Sequence, residues 1–170
     1  MNLSSTIKSI QDIMRKDDGV DGDAQRIGQL TWMLFLKVFD QREREWEDDN
    51  PKYRSPMDTK FRWRNWAEFK TDSAGKSQPK IEPSRVISFV NNELFPALSE
   101  KMDPRLSTQH RVIKSVFEDA KNYMKSGTQM LAVIQKLEEA IDFDDFKIRA
   151  NLGDVYEQML SDLRGGRQCW

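Results

Sequence analysis

Residues 24–47, AQRIGQLTWMLFLKVFDQREREWE, decide the fold. The first half places Ile27, Leu30, Trp32, Met33, Leu34, Phe35, Leu36, Val38 and Phe39 almost all the way round a helix. A helix that is apolar on most sides must be enclosed by other elements, so this segment is read as the central core helix. Asp23, just before it, has the short polar side chain that caps a helix start. The second half, DQREREWEDD, sets Arg42 and Arg44 against Asp40, Glu43, Glu45, Glu47, Asp48 and Asp49, a local net of −4. That charge predicts a solvated helix end projecting beyond the core.

Upstream, Leu3, Ile7, Ile10 and Ile13/Met14 recur every three or four positions, which predicts a short amphipathic helix ending near Arg15–Asp18 and Gly19. The DDGVDGD stretch that follows has oxygen ligands at Asp17, Asp21 and Asp23, as a calcium loop does. A calcium loop of the EF-hand type also needs a bidentate Glu at its twelfth position. Counted from Asp17, that position is Gly28, so the stretch is read as a turn capping the core helix.

Downstream, 50–80 is interrupted by Pro51, Pro56 and Pro79, with Pro83 just beyond, and reads as a long irregular connection. A third helix is expected from Ser84 through Val86/Ile87, Val90 and Leu94, broken or kinked by Pro96, with a short turn over 98–102. Thr108 is the expected cap of a fourth, with Val112, Ile113, Val116 and Phe117 inward. Gly127–Thr128 starts a fifth, with Leu131, Ile134, Leu137 and Ile141 on one face. A last helix carries Leu152, Val155, Tyr156, Met159, Leu160 and Leu163 and is stopped by Gly165 and Gly166. No strand-like alternation and no internal repeat is visible. The fold class is therefore all-α: a compact domain of five to seven helices with one long irregular loop, basic and aromatic.

The 170 residues, 38% hydrophobic and 32% charged, suit one domain with a real core and a well-solvated exterior. A formal net charge of −1 gives no global field toward nucleic acid, so any such contact must come from a local patch. The single cysteine, Cys169, excludes an internal disulfide and a cysteine-based zinc site. His110, the one histidine, sits at a helix start, where a solvated or capping role is expected; transition-metal sites have no ligand set. The first residues show no apolar signal run. The longest apolar stretch, Leu30 to Phe39, is far short of the roughly 20 residues of a membrane span. A soluble, intracellular protein with no membrane partner is expected.

The compositional outlier is the loop. From Lys52 to Lys80 it holds Lys52, Arg54, Lys60, Arg62, Arg64, Lys70, Lys76 and Lys80 against Asp58, Glu68 and Asp72, a local net of +5 in a chain of −1. Tyr53, Phe61, Trp63, Trp66 and Phe69 are interleaved with the charges. Cations of this kind neutralise phosphates and release counterions, and rings among them either stack on bases or pin the loop to the core. The two uses of the rings are compatible, since anchored rings hold arginines outward. Lys52, Arg54, Lys60, Arg62, Arg64 and Lys70 are the candidate nucleic-acid contacts.

No catalytic machinery is legible. Two adjacent prolines, needed for the Asn/Asp-Pro-Pro-aromatic motif that holds a flipped adenine, do not occur. No glycine-rich strand-to-helix turn for S-adenosylmethionine is expected, and neither Gly19-Val-Asp-Gly nor Arg164-Gly-Gly-Arg fits a phosphate-binding loop. The chain by itself is expected to be catalytically inert, without a bound cofactor.

The closing segment resembles the junction in modification (M) subunits of type I restriction–modification systems, which are DNA adenine methyltransferases. There a helix of the form LGD-x-YE-x-x-L leads into a glycine-containing segment and the catalytic domain. Leu152, Gly153, Asp154, Tyr156, Glu157 and Leu160 fill that pattern. The Leu34-Phe35-Leu36-Lys37 run, the Trp63/Trp66 segment, the Glu93-Leu94-Phe95-Pro96-x-Leu98 run and Ile141-Asp142-Phe143 follow in the family's order. Each piece alone is weak; their order is fairly specific and spans nearly the whole chain.

The resemblance implies an N-terminal helical domain over 1–164 and the start of a linker over 165–170, ahead of an absent catalytic domain. It implies a parent enzyme that transfers methyl from S-adenosylmethionine to adenine N6 in DNA. The implied partners are DNA, the specificity (S) subunit, the restriction (R) subunit and the parent's own catalytic domain, in a prokaryotic cytoplasm. This domain would then serve in DNA clamping and subunit assembly, with Val155, Met159 and Leu163 as the strip where the next domain docks. The Gln168-Cys169-Trp170 ending departs from the family's aromatic-Thr-Pro continuation, which points to a truncation or a change of frame. The competing expectation, prompted by the near-neutral total charge, is a free-standing helical protein-interaction module with no nucleic-acid role.

Overall fold

A computed structural model describes residues 3–140. Helix α1 (Leu3–Arg15) leads through a turn to α2 (Gly22–Asp49). A 3-10 turn (Thr59–Phe61) and the single-turn α3 (Trp63–Trp66) lie in the long connection. A small antiparallel hairpin follows, β1 (Lys70–Thr71) with β2 (Ser77–Gln78), in register Lys70 opposite Gln78 and Thr71 opposite Ser77. Helix α4 (Pro83–Phe89) runs through a π-helical turn (Val90–Leu94) into α5 (Phe95–Leu98). Helices α6 (Thr108–Asp119) and α7 (Gly127–Ala140) complete the described chain. The expected all-α class holds, with the hairpin as an addition. Its strands are two residues long, too short to show any alternation.

Helix α2 is the core helix its sequence predicts. Leu30, Trp32, Met33, Leu34, Leu36 and Phe39 are all buried. Trp32 meets Phe95 edge-on at 5.0 Å, and Phe95 meets Phe117 edge-on at 5.1 Å, so rings from α2, α5 and α6 interlock. Such edge-to-face pairs add to the burial of the rings themselves. Helix α1 buries Ile7, Ile10 and Met14 and packs against α7, which also packs against α4.

Pro96 does not break its helix. It has no N–H to donate, and its ring crowds the carbonyl four residues back. The wider turn before it absorbs that conflict: the Phe95 N–H reaches five residues back to the Val90 carbonyl. The same widening keeps Val86, Val90, Leu94 and Leu98 on one face, all fully buried. A strict four-residue period overruns a 3.6-residue turn, and a π turn brings it back into line.

Three local expectations are corrected. Asp23 does not cap α2; it lies in the first turn and pairs with Arg26, while Asp21 is the cap residue and its N–H is taken by the Gln25 side chain. Ser107, not Thr108, caps α6: its Oγ accepts the His110 N–H at 3.1 Å. Val112 is 43% exposed rather than inward, since Ile113 and Phe117 fill the buried stripe.

The DDGVDGD turn does more than cap. Asp17 is buried, and its carboxylate accepts backbone N–H groups of Gly19 (2.8 Å), Lys125 (3.0 Å) and Ser126 (2.9 Å). Buried Gln29 holds the same irregular segment, donating to Asn122 Oδ1 at 2.9 Å and accepting the Tyr123 N–H at 2.7 Å. The approach leaves no room at Gly19, where a Cβ would lie 2.0 Å from the Tyr123 carbonyl oxygen.

Candidate nucleic-acid interface

The basic loop and the acidic end of α2 are the two charge outliers of the sequence, and the fold sets them against each other. The expected solvated helix end is corrected accordingly: Asp48 and Asp49 are exposed, but Asp40 and Glu43 are buried at 3% and 0% exposure. Arg64 donates from Nε to Asp40 at 2.9 Å and from Nη1 to Glu47 at 3.0 Å. Arg62 lies 3.3 Å from Glu43 and also bonds Glu47. Tyr53 donates its hydroxyl to Glu43 at 2.7 Å. Arg44, from α2 itself, links Asp40 at 3.4 Å to Glu68 of the loop at 2.6 Å.

The local chemistry follows from this pairing. Burial alone would raise the Glu47 carboxyl, but the hydrogen bonds and charges of Arg62 and Arg64 outweigh it and hold Glu47 below the usual carboxylate range. For Arg64, burial pulls the other way, and Asp40 and Glu47 overcome it to raise the guanidinium above its ordinary value. The Tyr53 phenol is pushed up by burial and by its bond to Glu43. These groups lock the loop to α2 in one ionic arrangement. Removing a single partner from such a network leaves a poorly solvated charge behind.

The rings do the anchoring. Phe61, Trp63 and Trp66 are buried, and Tyr53 and Phe69 are half-buried. Trp66 packs on Trp63 and on Phe89 of α4, each at 5.5 Å, and donates its Nε1–H to the Phe61 carbonyl at 3.1 Å. Phe61, Trp63 and Trp66 therefore have no face free for a nucleic-acid base.

The six candidate contact residues divide. Arg62 and Arg64 are committed to α2, with side chains 16% and 21% exposed. Lys52, Arg54 and Lys70 are exposed and have no ion-pair partner among the described residues. Lys60 is exposed, 3.3 Å from Glu93 and over the Phe61 ring. The expected docking strip, Val155, Met159 and Leu163, lies outside the described residues, as do the last helix, its Gly165–Gly166 stop and Cys169. His110 is a capping-turn residue, its Nδ1 2.7 Å from Ser107 Oγ.

S-adenosylmethionine finds no fit among the described residues. Gly19 and Gly127 are filled against backbone, and the hairpin offers no strand-to-helix glycine turn. No group of three or more His, Cys, Asp or Glu side chains placed to hold a metal ion occurs among them either. No described helix is long and apolar enough to cross a membrane.

Fold and network together define a helical domain braced around one long helix. The chain belongs to the HsdM N-terminal domain family, which it matches over residues 3–137. It is 48% identical over 165 residues to the type I restriction enzyme EcoEI methylase subunit of Escherichia coli, covering 96% of this chain and 32% of that subunit. The chain thus spans about a third of the curated relative it matches. Two solved structures share the fold. One, from a type I R-M system studied for complex assembly and conformational transition, has a TM-score of 0.72 at 28% identity, covering 93% of this chain and 29% of that one. The other, a modification subunit of a putative type I restriction enzyme from Vibrio vulnificus YJ016, has a TM-score of 0.70 at 26% identity, covering 98% of this chain and 36% of that one.

Proposed function

We propose that this chain is the N-terminal assembly and DNA-clamping domain of a type I methyltransferase subunit. The remainder of the parent subunit transfers methyl from S-adenosylmethionine to adenine N6. The domain division at 165 and the docking strip at Val155, Met159 and Leu163 belong to this reading. So do the specificity and restriction subunits and the parent's catalytic domain as partners, and DNA contact through the basic loop. The carrying observation is the 48% identity, over nearly the whole chain, to one third of a methylase subunit.

The test uses the full-length subunit co-expressed with its specificity subunit, with and without residues 3–140. Loss of co-elution, of DNA retention and of methyl transfer from labelled S-adenosylmethionine in the truncated form is expected. Unchanged assembly and turnover in that form would overturn the reading.

A second reading, a protein-interaction module without a nucleic-acid role, is favoured by one observation: the loop's two best-placed arginines are neutralised internally by Asp40, Glu43 and Glu47. Assembly that depends on residues 3–140, with DNA affinity that does not, is the outcome that selects it.

A further inference from the structure

We propose that a phosphate strand of duplex DNA runs across the face made by the β1–β2 hairpin and the start of α4, held by Lys70, Lys76, Lys80 and Arg85. Arg62 and Arg64 have no part in this contact, which rests on the DNA-clamping reading above and gives that reading a location.

The argument begins with which cations are available. A phosphate that drew Arg62 or Arg64 outward would leave Glu43 with only the Tyr53 hydroxyl and Asp40 with only the longer Arg44 ion pair, at 0% and 3% exposure. Losing its main cation costs a buried carboxylate more than a surface phosphate contact returns. Lys70, Lys76 and Arg85 carry no such cost: they are exposed and have no ion-pair partner among the described residues. Lys80 is exposed too, and its Nζ donates one bond, 2.6 Å to the Arg64 carbonyl. An ammonium has three donors, so two remain, and the bond fixes the base of the hairpin to α3.

Geometry supplies the second step. Asp72 hydrogen-bonds the Lys76 carbonyl through its own N–H, which places the two opposite each other, two residues beyond the Lys70–Gln78 pair. Cross-strand partners share a face, so Lys70 and Lys76 lie on one side of the hairpin. They are staggered by roughly 7 Å at the rise of a strand, close to the axial rise of two phosphates along one DNA strand. The acid between them, Asp72, is exposed, and the turn's own backbone occupies its carboxylate, which accepts the Ala74 N–H at 3.0 Å and the Lys76 N–H at 2.8 Å. Gly75, at φ +81, makes that turn possible.

A groove opens where the chain leaves the hairpin, from Lys80 onward. It has a volume of about 410 Å³ and is lined by Lys60, Asn65, Lys80, Arg85, Glu82 and Glu93 among others. Glu93 is offset by Lys60 at 3.3 Å. That leaves Glu82 as the one lining acid without a cation at bonding distance among the described residues, set against Lys80 and Arg85. Contacts to phosphate carry no sequence information, so this contact is sequence-independent and salt-sensitive.

The experiment measures binding of a fluorescent duplex by the assembled modification and specificity subunits across graded salt. Four forms are compared: wild type, the K70E/K76E/K80E/R85E variant, the neutral K70Q/K76Q/K80Q/R85Q variant and a form lacking residues 3–140. The charge-reversed variant is expected to bind at least tenfold more weakly, on cognate and non-cognate duplex alike. Its log K against log salt should be shallower by about 3.6, at about 0.9 for each of the four lost phosphate contacts. The neutral K70Q/K76Q/K80Q/R85Q variant should lie between, which separates lost attraction from added repulsion. Affinity within twofold of wild type and an unchanged slope in both variants, with the deletion weakened, overturns this location alone. Unchanged affinity in all three altered forms overturns the clamping reading with it.

Discussion

Two halves of one basic segment meet opposite fates. Residues 52–69 send Arg62 and Arg64 inward to Asp40, Glu43 and Glu47, whereas residues 70–85 leave Lys70, Lys76 and Arg85 facing water. Charge content does not separate them; both stretches are cation-rich with few acids. The difference is what stands opposite. Phe61, Trp63 and Trp66 dock the first half onto α2 and α4, which brings its arginines within reach of the acidic helix end. The hairpin carries no large apolar side chain, so nothing draws it inward. For Arg62 and Arg64, on either side of buried Trp63, the docked rings select the surface the cations meet, whereas Lys52, Arg54 and Lys60 stay exposed beside Tyr53 and Phe61.

The comparison breaks most sharply at Arg64. Arg64→Ala leaves Asp40 buried beside the weaker Arg44 contact and deprives Glu47 of one partner. A loss of about 2–4 kcal/mol in urea unfolding is expected, below the fully buried case because part of the side chain reaches water. Arg85→Ala, at an exposed and unpaired position, should change stability by less than about 0.5 kcal/mol. Equal losses at the two positions would erase the distinction between the halves.

Asp17 sharpens the contrast by doing with backbone donors what Arg64 does with carboxylates. Asp17→Ala leaves the N–H groups of Gly19, Lys125 and Ser126 without their acceptor. Part-buried donors left unmet predict a loss of about 2–3 kcal/mol. Amide exchange should quicken at 125–126 and stay unchanged in the hairpin. Protection lost in both places would mean that the hairpin is coupled to this clamp.

Legibility in the sequence follows the same division. The apolar run of α2, the three-and-four spacing of α1 and the Gly127 start of α7 signal themselves, because periodicity is a local property. The strict four-residue step Val86, Val90, Leu94, Leu98, followed by Pro96 within it, was also present as a sign of the π turn, and the proline alone reads as a break. Pairing of Arg62 and Arg64 with a helix some twenty residues earlier is not local. It shows only as two opposite charge blocks, −4 and +5, in a nearly neutral chain. Asp17 is legible as a turn residue but not as a clamp, since its partners Lys125 and Ser126 lie more than a hundred residues on. Of the six candidate contacts, Lys52, Arg54, Lys60 and Lys70 are exposed, whereas Arg62 and Arg64 are turned to α2, which their own stretch of sequence does not show.

The smallest effect expected is a pH dependence, and it also separates the halves. Glu47 and Asp72 both sit below their ordinary carboxylate values, for different reasons. Glu47 is held down against its burial by Arg62 and Arg64; Asp72 is held down by backbone N–H groups, that of Lys76 first. A carboxylate depressed in the folded state stabilises it fully above the unfolded value and loses that contribution as pH falls through the folded one. For Glu47 the loss therefore begins near the ordinary value of 4.5 and continues below it. Unfolding measured at pH 7 and at acid pH should show Glu47→Gln less stable than wild type by no more than about 1 kcal/mol at pH 7, with the gap closing in acid. Combined with Arg64→Ala, the substitution should cost less than the two separately, because Arg64 is half of what holds Glu47 ionised. Additivity of the two, or a gap that widens in acid, would show that Glu47 is a bystander at the edge of the network and that Asp40 and Glu43 hold the arginines by themselves.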